Sequence, residues 1–437
     1  MTGKRKRKLA MPDTLIIVAS VVLLVAILSW IIPSGTYDYQ EMNINGRIRN
    51  VAIDGTYHTI DKSEVTTTGF LGFFSVLYRG CVEAADVIFM ILCCCGTFGV
   101  VVKTGAFHAG IGTILKKLKG KEILLVPIIM MIFGLGGSVF GMASEFYGFY
   151  PLIVGLGVAL GYDAMFGFAI IAVGEFVGFM GATLNPYSVG IAQTISGVEL
   201  YSGTGYRAIC FVIFMAISII YVMVYGRKIK KNPGASVVFG EKNIHAFDRD
   251  ELNEYSFTLK DGLVLLDVLV VLVVLMLGLI KWGWDFPQLC GLFLLMSMIA
   301  AAICKWSPNK WCSEFIDSAK TAMWGCILTG IAKAITVVMQ DAQIMDTVIY
   351  GLSNVLKNAP HAVSAQVMLV VQTLINFFIP SATGQASATM PIMAQLADII
   401  GVSRQTAVLA FQFGDGLSNI FWPTADIVII CGLGGIS

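Results

Sequence analysis

The sequence predicts an all-α polytopic membrane protein, built as an inverted repeat with two re-entrant helical hairpins and two broken transmembrane helices. Three observations lead there. The chain is 57% hydrophobic and 13% charged, with a mean hydropathy of +0.79, against about 45–50% apolar residues in soluble domains. Helix breakers and one acid recur 240 residues apart, pairing Pro151 with Pro391, Gly161 with Gly401, Gly174 with Gly414 and Glu175 with Asp415. Finally, lysines crowd one copy of a matched segment and are nearly missing from the other.

Apolar runs near 13–33, 85–102, 164–180, 207–226, 262–280, 286–304 and 321–339 have the roughly 20 residues that cross a hydrocarbon core of about 30 Å. The five basic residues of MTGKRKRKLAMPDT precede the first run, and IIPSGTYDY follows it with no small-residue cleavage site. The run reads as a retained span with a cytoplasmic N-terminus. The polar segment 34–80 then lies outside, and Lys103 with KKLKGK (116–121) lies inside. Arg227, Lys228, Lys230 and Lys231 open an inside linker that runs to about 260, and Lys305 and Lys310 are again inside. QDAQIMDTVIYGLSNVLKN, the counterpart of 103–121, falls outside with a single lysine, Lys357. A basic inside copy matched to an outside copy is how charge marks an inverted repeat. A parallel duplication would make both copies basic.

The resulting organisation is a first span and external segment (1–80), a first repeat (81–227) with hairpin 122–160 and broken helix 164–200, a linker (228–261), two spans (262–305), and a second repeat (306–437) with hairpin 363–399 and broken helix 404–437. The span 207–226 should have a counterpart near 445–465, so a last span is expected beyond Ser437.

Each repeat has two places where a helix cannot continue. GLGGSVFGMASEFYGFYP (134–151) pairs with IPSATGQASATMP (379–391), and FMGATLNPYSVG (179–190) with GDGLSNIFWPTAD (414–426). Backbone unwound at that depth needs protein or water-filled cavity around it. Its free N–H ends suit a carboxylate, and its free carbonyls a cation. Any one of these glycines could serve helix packing. Packing does not explain Asn185, Gln385 and Asn419 beside prolines at matched depths.

Glu145, Glu175 and Asp415 are the buried acids, and Lys333 is the one basic residue deep in a span. A carboxylate at mid-bilayer costs at least about 2.5–3.5 kcal/mol, and Lys333 can neutralise only one of three. The excess of acids argues for a cationic cargo or co-ion. Asp267, Glu83 and Asp86 lie near span ends, and Asp163 and Arg404 precede the broken spans as structural residues. The ten cysteines show no CxxC or metal-ligand spacing, so no metal or other cofactor is expected beyond a coupling Na⁺ or H⁺. His58, His108, His245 and His361 fall in loops or interfacial segments and form no proton relay. Glu175 and Asp415 recur as repeat mates rather than as a catalytic dyad, so an intramembrane enzyme is disfavoured. A net charge of +1 with localised lysines names no partner, and the expected ones are the bilayer and a small molecule, with no nucleic acid.

MPDTLIIV with IIPSGTYDY, then LGGSVFGMASEFYGFYP, GYDAMFG, NPYSVGIAQTISG with YSGTGYR, IPSATGQASATMPIMAQLAD and GVSRQTAVLAFQFGDGLSNIFWPT, resemble the YfcC family of basic amino acid antiporters, related to ArcD-type arginine/ornithine exchangers and DcuC anaerobic dicarboxylate carriers. The resemblance covers essentially the whole chain. It implies the ion transporter superfamily fold, a scaffold plus an elevator-type transport domain, a homodimer and a bacterial inner membrane location. It also implies a substrate and sodium site at Gly137, Ser138, Ser144, Glu145, Asn185, Ser381, Thr383, Gln385, Asn419 and Thr424, with Thr183 and Ser418 in ion coupling and Na⁺ near Asn185 and Asn419, while the buried-acid argument above gives Glu175 and Asp415 an ion-coupling or electrostatic role. The implied activity is secondary antiport of a basic amino acid of the arginine/ornithine type, with a C4-dicarboxylate or other organic acid coupled to Na⁺ or H⁺ as the alternative. The chain departs from the family pattern at Ser144 followed by Glu145, where two acids are common, and at Trp422 and Asp426 around the last proline.

Overall fold

The computed structural model describes residues 14–44, 47–118, 122–240, 257–357 and 363–436. The basic stretch 1–13, residues 119–121, the linker portion 241–256 with His245, and His361 lie outside the described residues. Eighteen α-helices are described. The first half holds α1 (Thr14–Ile31), α2 (Phe70–Glu83), α3 (Ala85–Lys103), α4 (Ala106–Leu118), α5 (Leu125–Leu135), α6 (Tyr150–Ala159), α7 (Ala164–Gly181), α8 (Val189–Ile195) and α9 (Thr204–Lys231). The second holds α10 (Leu259–Lys281), α11 (Phe286–Ile303), α12 (Pro308–Lys320), α13 (Met323–Asp341), α14 (Met345–Lys357), α15 (Ser364–Phe378), α16 (Ala382–Ile399), α17 (Arg404–Ser418) and α18 (Asp426–Gly434). Among the described residues, α3, α7, α9, α10, α11 and α13 are long and apolar enough to cross a bilayer.

Local chemistry starts and stops these helices where breaks are needed. Asp163 caps α7 by accepting from Phe166 N at 2.7 Å, and it also accepts from the hydroxyls of Tyr225 and Ser236, both at 2.6 Å. Ser381 and Ser403 cap α16 and α17 with their hydroxyls. Arg404 pairs with Asp398 at 2.7 Å and donates to Ser196 O at 2.9 Å, so Asp163 and Arg404 are the structural residues their positions suggested.

The external segment is not featureless. Strands β1 (Ser34–Thr36) and β4 (His58–Ile60) pair antiparallel, as do β2 (Tyr39–Ile44) and β3 (Arg47–Ala52). These short strands stand beside an otherwise helical architecture because YQEMNI and RIRNVA mix polar and apolar residues closer to the strand period than to the helical one. Asp346 of α14 ties the strands down, accepting from Tyr37 N at 3.0 Å and Tyr39 OH at 2.8 Å. Burial and that carboxylate push the Tyr39 hydroxyl above its ordinary range, so it stays a donor. Strand β3 packs on α16.

The helices pack with the two halves exchanged. Helices α5 and α6 lie on α7, as α15 and α16 lie on α17. The short helix α8 crosses to α16 and α17, and α18 crosses to α6 and α7. Likewise α2 packs on α13, and α12 on α3. Glycines permit the close crossings that bring the breaks together. A Cβ on Gly416 would sit 2.5 Å from Met180 Cα and 2.9 Å from Met180 N, where α17 meets α7.

Candidate functional site

Both hairpin segments and both broken helices interrupt where glycine, asparagine and proline cluster. Between α5 and α6 the chain runs through a π-turn (Gly136–Phe140), a left-handed Gly141 at φ +70° and a 3₁₀ turn (Ser144–Phe149). Between α15 and α16 only Ile379 to Ser381 separate the arms. Helix α7 ends at Ala182 in the left-handed region (φ +31°), a strained conformation for a residue with a Cβ.

The first hairpin seals onto the first break. Ser138 Oγ lies 3.0 Å from Thr183 Oγ1 and accepts from Thr183 N at 3.1 Å, and Leu184 N donates to Ser138 O at 3.2 Å. Gly137 sits so close to α7 that a Cβ there would lie 2.9 Å from Glu175 O. Asn185 is fully buried, its Oδ1 accepts from Tyr187 N and Ser188 N, and its Nδ2 has no partner among the described residues. The second hairpin reaches across to the same place, where Thr383 Oγ1 donates to Tyr187 O at 2.8 Å. Gln412 of α17 adds a second bridge between the halves, donating to Phe179 O at 2.9 Å.

The carbonyl end of α7 is already occupied. Arg207 of α9, 1% exposed, donates from Nε to Ala182 O (2.9 Å) and from Nη2 to Thr183 O (3.1 Å) and Thr204 Oγ1 (3.1 Å). Sequence reasoning placed Arg207 at a span end and missed it. Its signal was a lone arginine beside YSGTGY that faces a broken helix. Among the described residues the first break therefore presents two buried polar atoms without a partner, the amide donor of Asn185 and the hydroxyl of Ser188.

The second break is rich in oxygen. Asn376 of α15 lies among Asp415, Ser418 and Asn419. The amide orientation that satisfies both its ends donates to Asp415 Oδ1 (3.3 Å) and Gln385 Oε1 (3.2 Å) and accepts from Ser418 Oγ (2.7 Å). Asp415 Oδ2 has no partner among the described residues, at 1% exposure. Thr424 donates to Phe377 O at 2.8 Å, tying this break to the first arm of its own hairpin. Gln385 is spent internally, donating to Gln372 Oε1 at 2.6 Å. Asn376, Gln372 and Gln412 are the amides overlooked by weighing only those next to prolines.

The acids do not sit as a pair of repeat mates facing each other. Glu175 accepts from Tyr150 OH at 2.7 Å, and its fully buried Oε1 has no partner among the described residues. Glu145 accepts from Ala143 N at 3.0 Å, in the 3₁₀ turn that packs on α3 with Ser144. Asp426, at the start of α18, takes a hydrogen bond from Tyr147 and lies within electrostatic reach of both Glu175 and Asp415. It is the acid that links the two clusters, and its position beyond the last proline was the signal.

An open cavity of about 560 Å³ lies between α13 and the second hairpin and break. Ser381 and Thr424 line it from the expected set, joined by Gly384, Ser387, Asp426 and Lys333. Lys333 forms no ion pair with Glu145, Glu175 or Asp415 among the described residues, so a structural pairing of these charges is not what the fold builds.

Comparison with known proteins follows this geometry. A family model described as DcuC, C4-dicarboxylate anaerobic carrier, matches residues 11–437. The protein of Escherichia coli (strain K12) called "Putative basic amino acid antiporter YfcC" is 33% identical over 458 residues, covering 97% of this chain and 90% of that one. An uncharacterized protein of Haemophilus influenzae (strain ATCC 51907 / DSM 11121 / KW20 / Rd) is 28% identical over 469 residues, covering 98% and 92%. Among solved structures, the Alcanivorax borkumensis YdaH transporter aligns with a TM-score of 0.43 at 16% identity, covering 97% of this chain and 91% of that one. Neisseria gonorrhoeae MtrF, from a class of antimetabolite efflux pumps, aligns at 0.44 and 16%, covering 98% and 90%.

Proposed function

Because the chain belongs to the DcuC family, described as C4-dicarboxylate anaerobic carriers, we propose that it is a secondary active transporter, and that it exchanges a basic amino acid of the arginine/ornithine type. The observation that carries this reading is the meeting of both breaks, through Thr383 on Tyr187 and Gln412 on Phe179, together with a series of carboxyl groups, Glu145, Glu175, Asp426 and Asp415, each within electrostatic reach of the next. Glu145, Glu175, Asp415 and Asp426 make a region that attracts a cation and repels a dianion. The name of the E. coli relative agrees with that sign.

The exchange of contacts between halves supports an inverted repeat, with α5–α8 and α15–α18 as the transport domain that moves as an elevator against the remaining helices. Asp415, Ser418 and Asn419 are the oxygens best placed for a coupling Na⁺ or H⁺. The protein sits in the bacterial inner membrane with its N-terminus cytoplasmic, as a homodimer, and is not an enzyme. The second reading, a C4-dicarboxylate carrier, draws on the family description and on Lys333.

Proteoliposomes preloaded with unlabelled L-arginine, L-ornithine or succinate and given labelled L-arginine outside provide the test. Arginine and ornithine should stimulate uptake and succinate should not. Stimulation by succinate, with no arginine uptake under any loading, would overturn the amino acid reading in favour of the dicarboxylate one.

A further inference from the structure

Lys333 is the eleventh residue of the 19-residue span α13, at its midpoint. A lysine there costs at least about 2.5–3.5 kcal/mol in a bilayer unless it has a partner or a task. Among the described residues it has no carboxylate partner, and it lines the same cavity as Asp426. Lys333 and Asp426 share one space, yet their N···O separation exceeds the 4.0 Å of an ion pair, while Glu83, the third charged residue on the wall, lies within electrostatic reach of Arg79. Asp426 is held in place by the Tyr147 hydroxyl, and Ser381 and Ser387 add hydroxyls to the walls.

Two opposite charges held apart over a hydroxyl-lined gap are complementary to a zwitterion. A single ion would neutralise one charge and face repulsion from the other. We propose that Lys333 and Asp426 are the head-group receptors of the transport site, Lys333 for the α-carboxylate and Asp426 for the α-ammonium of an amino acid. This rests on the transporter reading above and adds the recognition element to it. It also accounts for a half-buried cation at mid-span on a cavity wall that carries carboxylates. The ammonium admits the carboxylate that the surrounding acids would otherwise exclude, and those acids remain available to a cationic side chain.

Binding by purified wild-type, Lys333→Gln and Lys333→Arg protein should be compared for L-arginine and agmatine, which lacks only the α-carboxylate. Wild-type protein should prefer L-arginine by about 10-fold or more, the size of one charge-assisted hydrogen bond. Lys333→Gln should lower arginine affinity to the agmatine level and leave agmatine unchanged, while Lys333→Arg should restore part of the preference. Asp426→Asn should weaken arginine more than its desamino analogue, 5-guanidinopentanoate. Equal weakening of arginine and agmatine in Lys333→Gln, or unchanged arginine binding, overturns the assignment. Wild-type binding of succinate without arginine overturns the amino acid reading and the Asp426 role. In that case the carboxylate role of Lys333 stands only if Lys333→Gln loses the preference for succinate over its monoamide. Thermal unfolding of each variant separates loss of binding from loss of fold, because a variant that unfolds early also weakens agmatine.

Discussion

Replacing Arg207 with methionine should destabilise the first break by about 1–3 kcal/mol, a modest figure for the loss of a fully engaged buried guanidinium. The magnitude follows from which acceptors keep a partner. Arg207 donates to Ala182 O, Thr183 O, Ser202 O and Thr204 Oγ1. Ser202 O still accepts from Gln193 at 2.9 Å and Gln405 at 3.2 Å, and Thr183 O still accepts from Thr204 at 3.1 Å. Only Ala182 O is stranded, and it belongs to the residue already strained in the left-handed region. Removing the charge also removes its own desolvation cost, which holds the net loss down. Lysine at 207 should recover part of the loss, since one ammonium can reach Ala182 O but cannot span Ser202 and Thr183 together. The assay is thermal unfolding of the purified protein beside arginine counterflow in proteoliposomes. Arg207→Met should unfold earlier and transport more slowly, with the order of preferred substrates unchanged. Unchanged stability together with an altered order of substrates would refute a capping role and make Arg207 a substrate contact.

Other consequences are open to direct measurement. Glu175→Gln with Asp415→Asn should abolish uptake or its dependence on a Na⁺ or H⁺ gradient, and a double variant with both intact would remove these acids from the coupling scheme. Val139→Cys and Ser381→Cys, placed beside the hairpin breaks where a side chain fits, should be labelled from the cytoplasm and from outside respectively; labelling of both from one side would exclude the inverted arrangement. Gly416→Val should cost more than about 3 kcal/mol or prevent folding, because the added atoms meet Met180 backbone rather than a side chain able to swing away. Circular dichroism and gel filtration would report this, and a well-folded Val variant would mean that α7 and α17 do not cross there.

Much of the architecture was legible because a bilayer makes local rules strict. Backbone groups must bond within their own segment, so apolar length gives the spans, and glycine, asparagine and proline give the breaks. Every long apolar run became a helix, and α7 and α17 stop at Gly181 and Ser418, beside the asparagines and prolines that mark those interruptions. The external strands were overlooked because hydropathy was weighed there rather than alternation. In the site, Ser138, Thr183 and Thr383 do converge on the first break, but Gln385 bonds within its own hairpin and the 3₁₀ turn that begins at Ser144 packs on α3. Side-chain direction depends on how helices are rotated against one another, which no residue spacing along one helix reports.

From its sequence alone this chain is a polytopic membrane protein of helical spans, interrupted at clusters of glycine, asparagine and proline and carrying more acids than bases within its apolar segments. Those properties are local, set by composition and by which residues can continue a helix in a medium without water. Tertiary structure decided the pairings: Arg207 over the end of α7, Asn376 on Asp415, Tyr150 on Glu175, and Lys333 opposite Asp426 across a cavity. Each joins segments whose approach depends on glycine crossings and hairpin packing. The charges were visible in the sequence, but their partners were set by the packing.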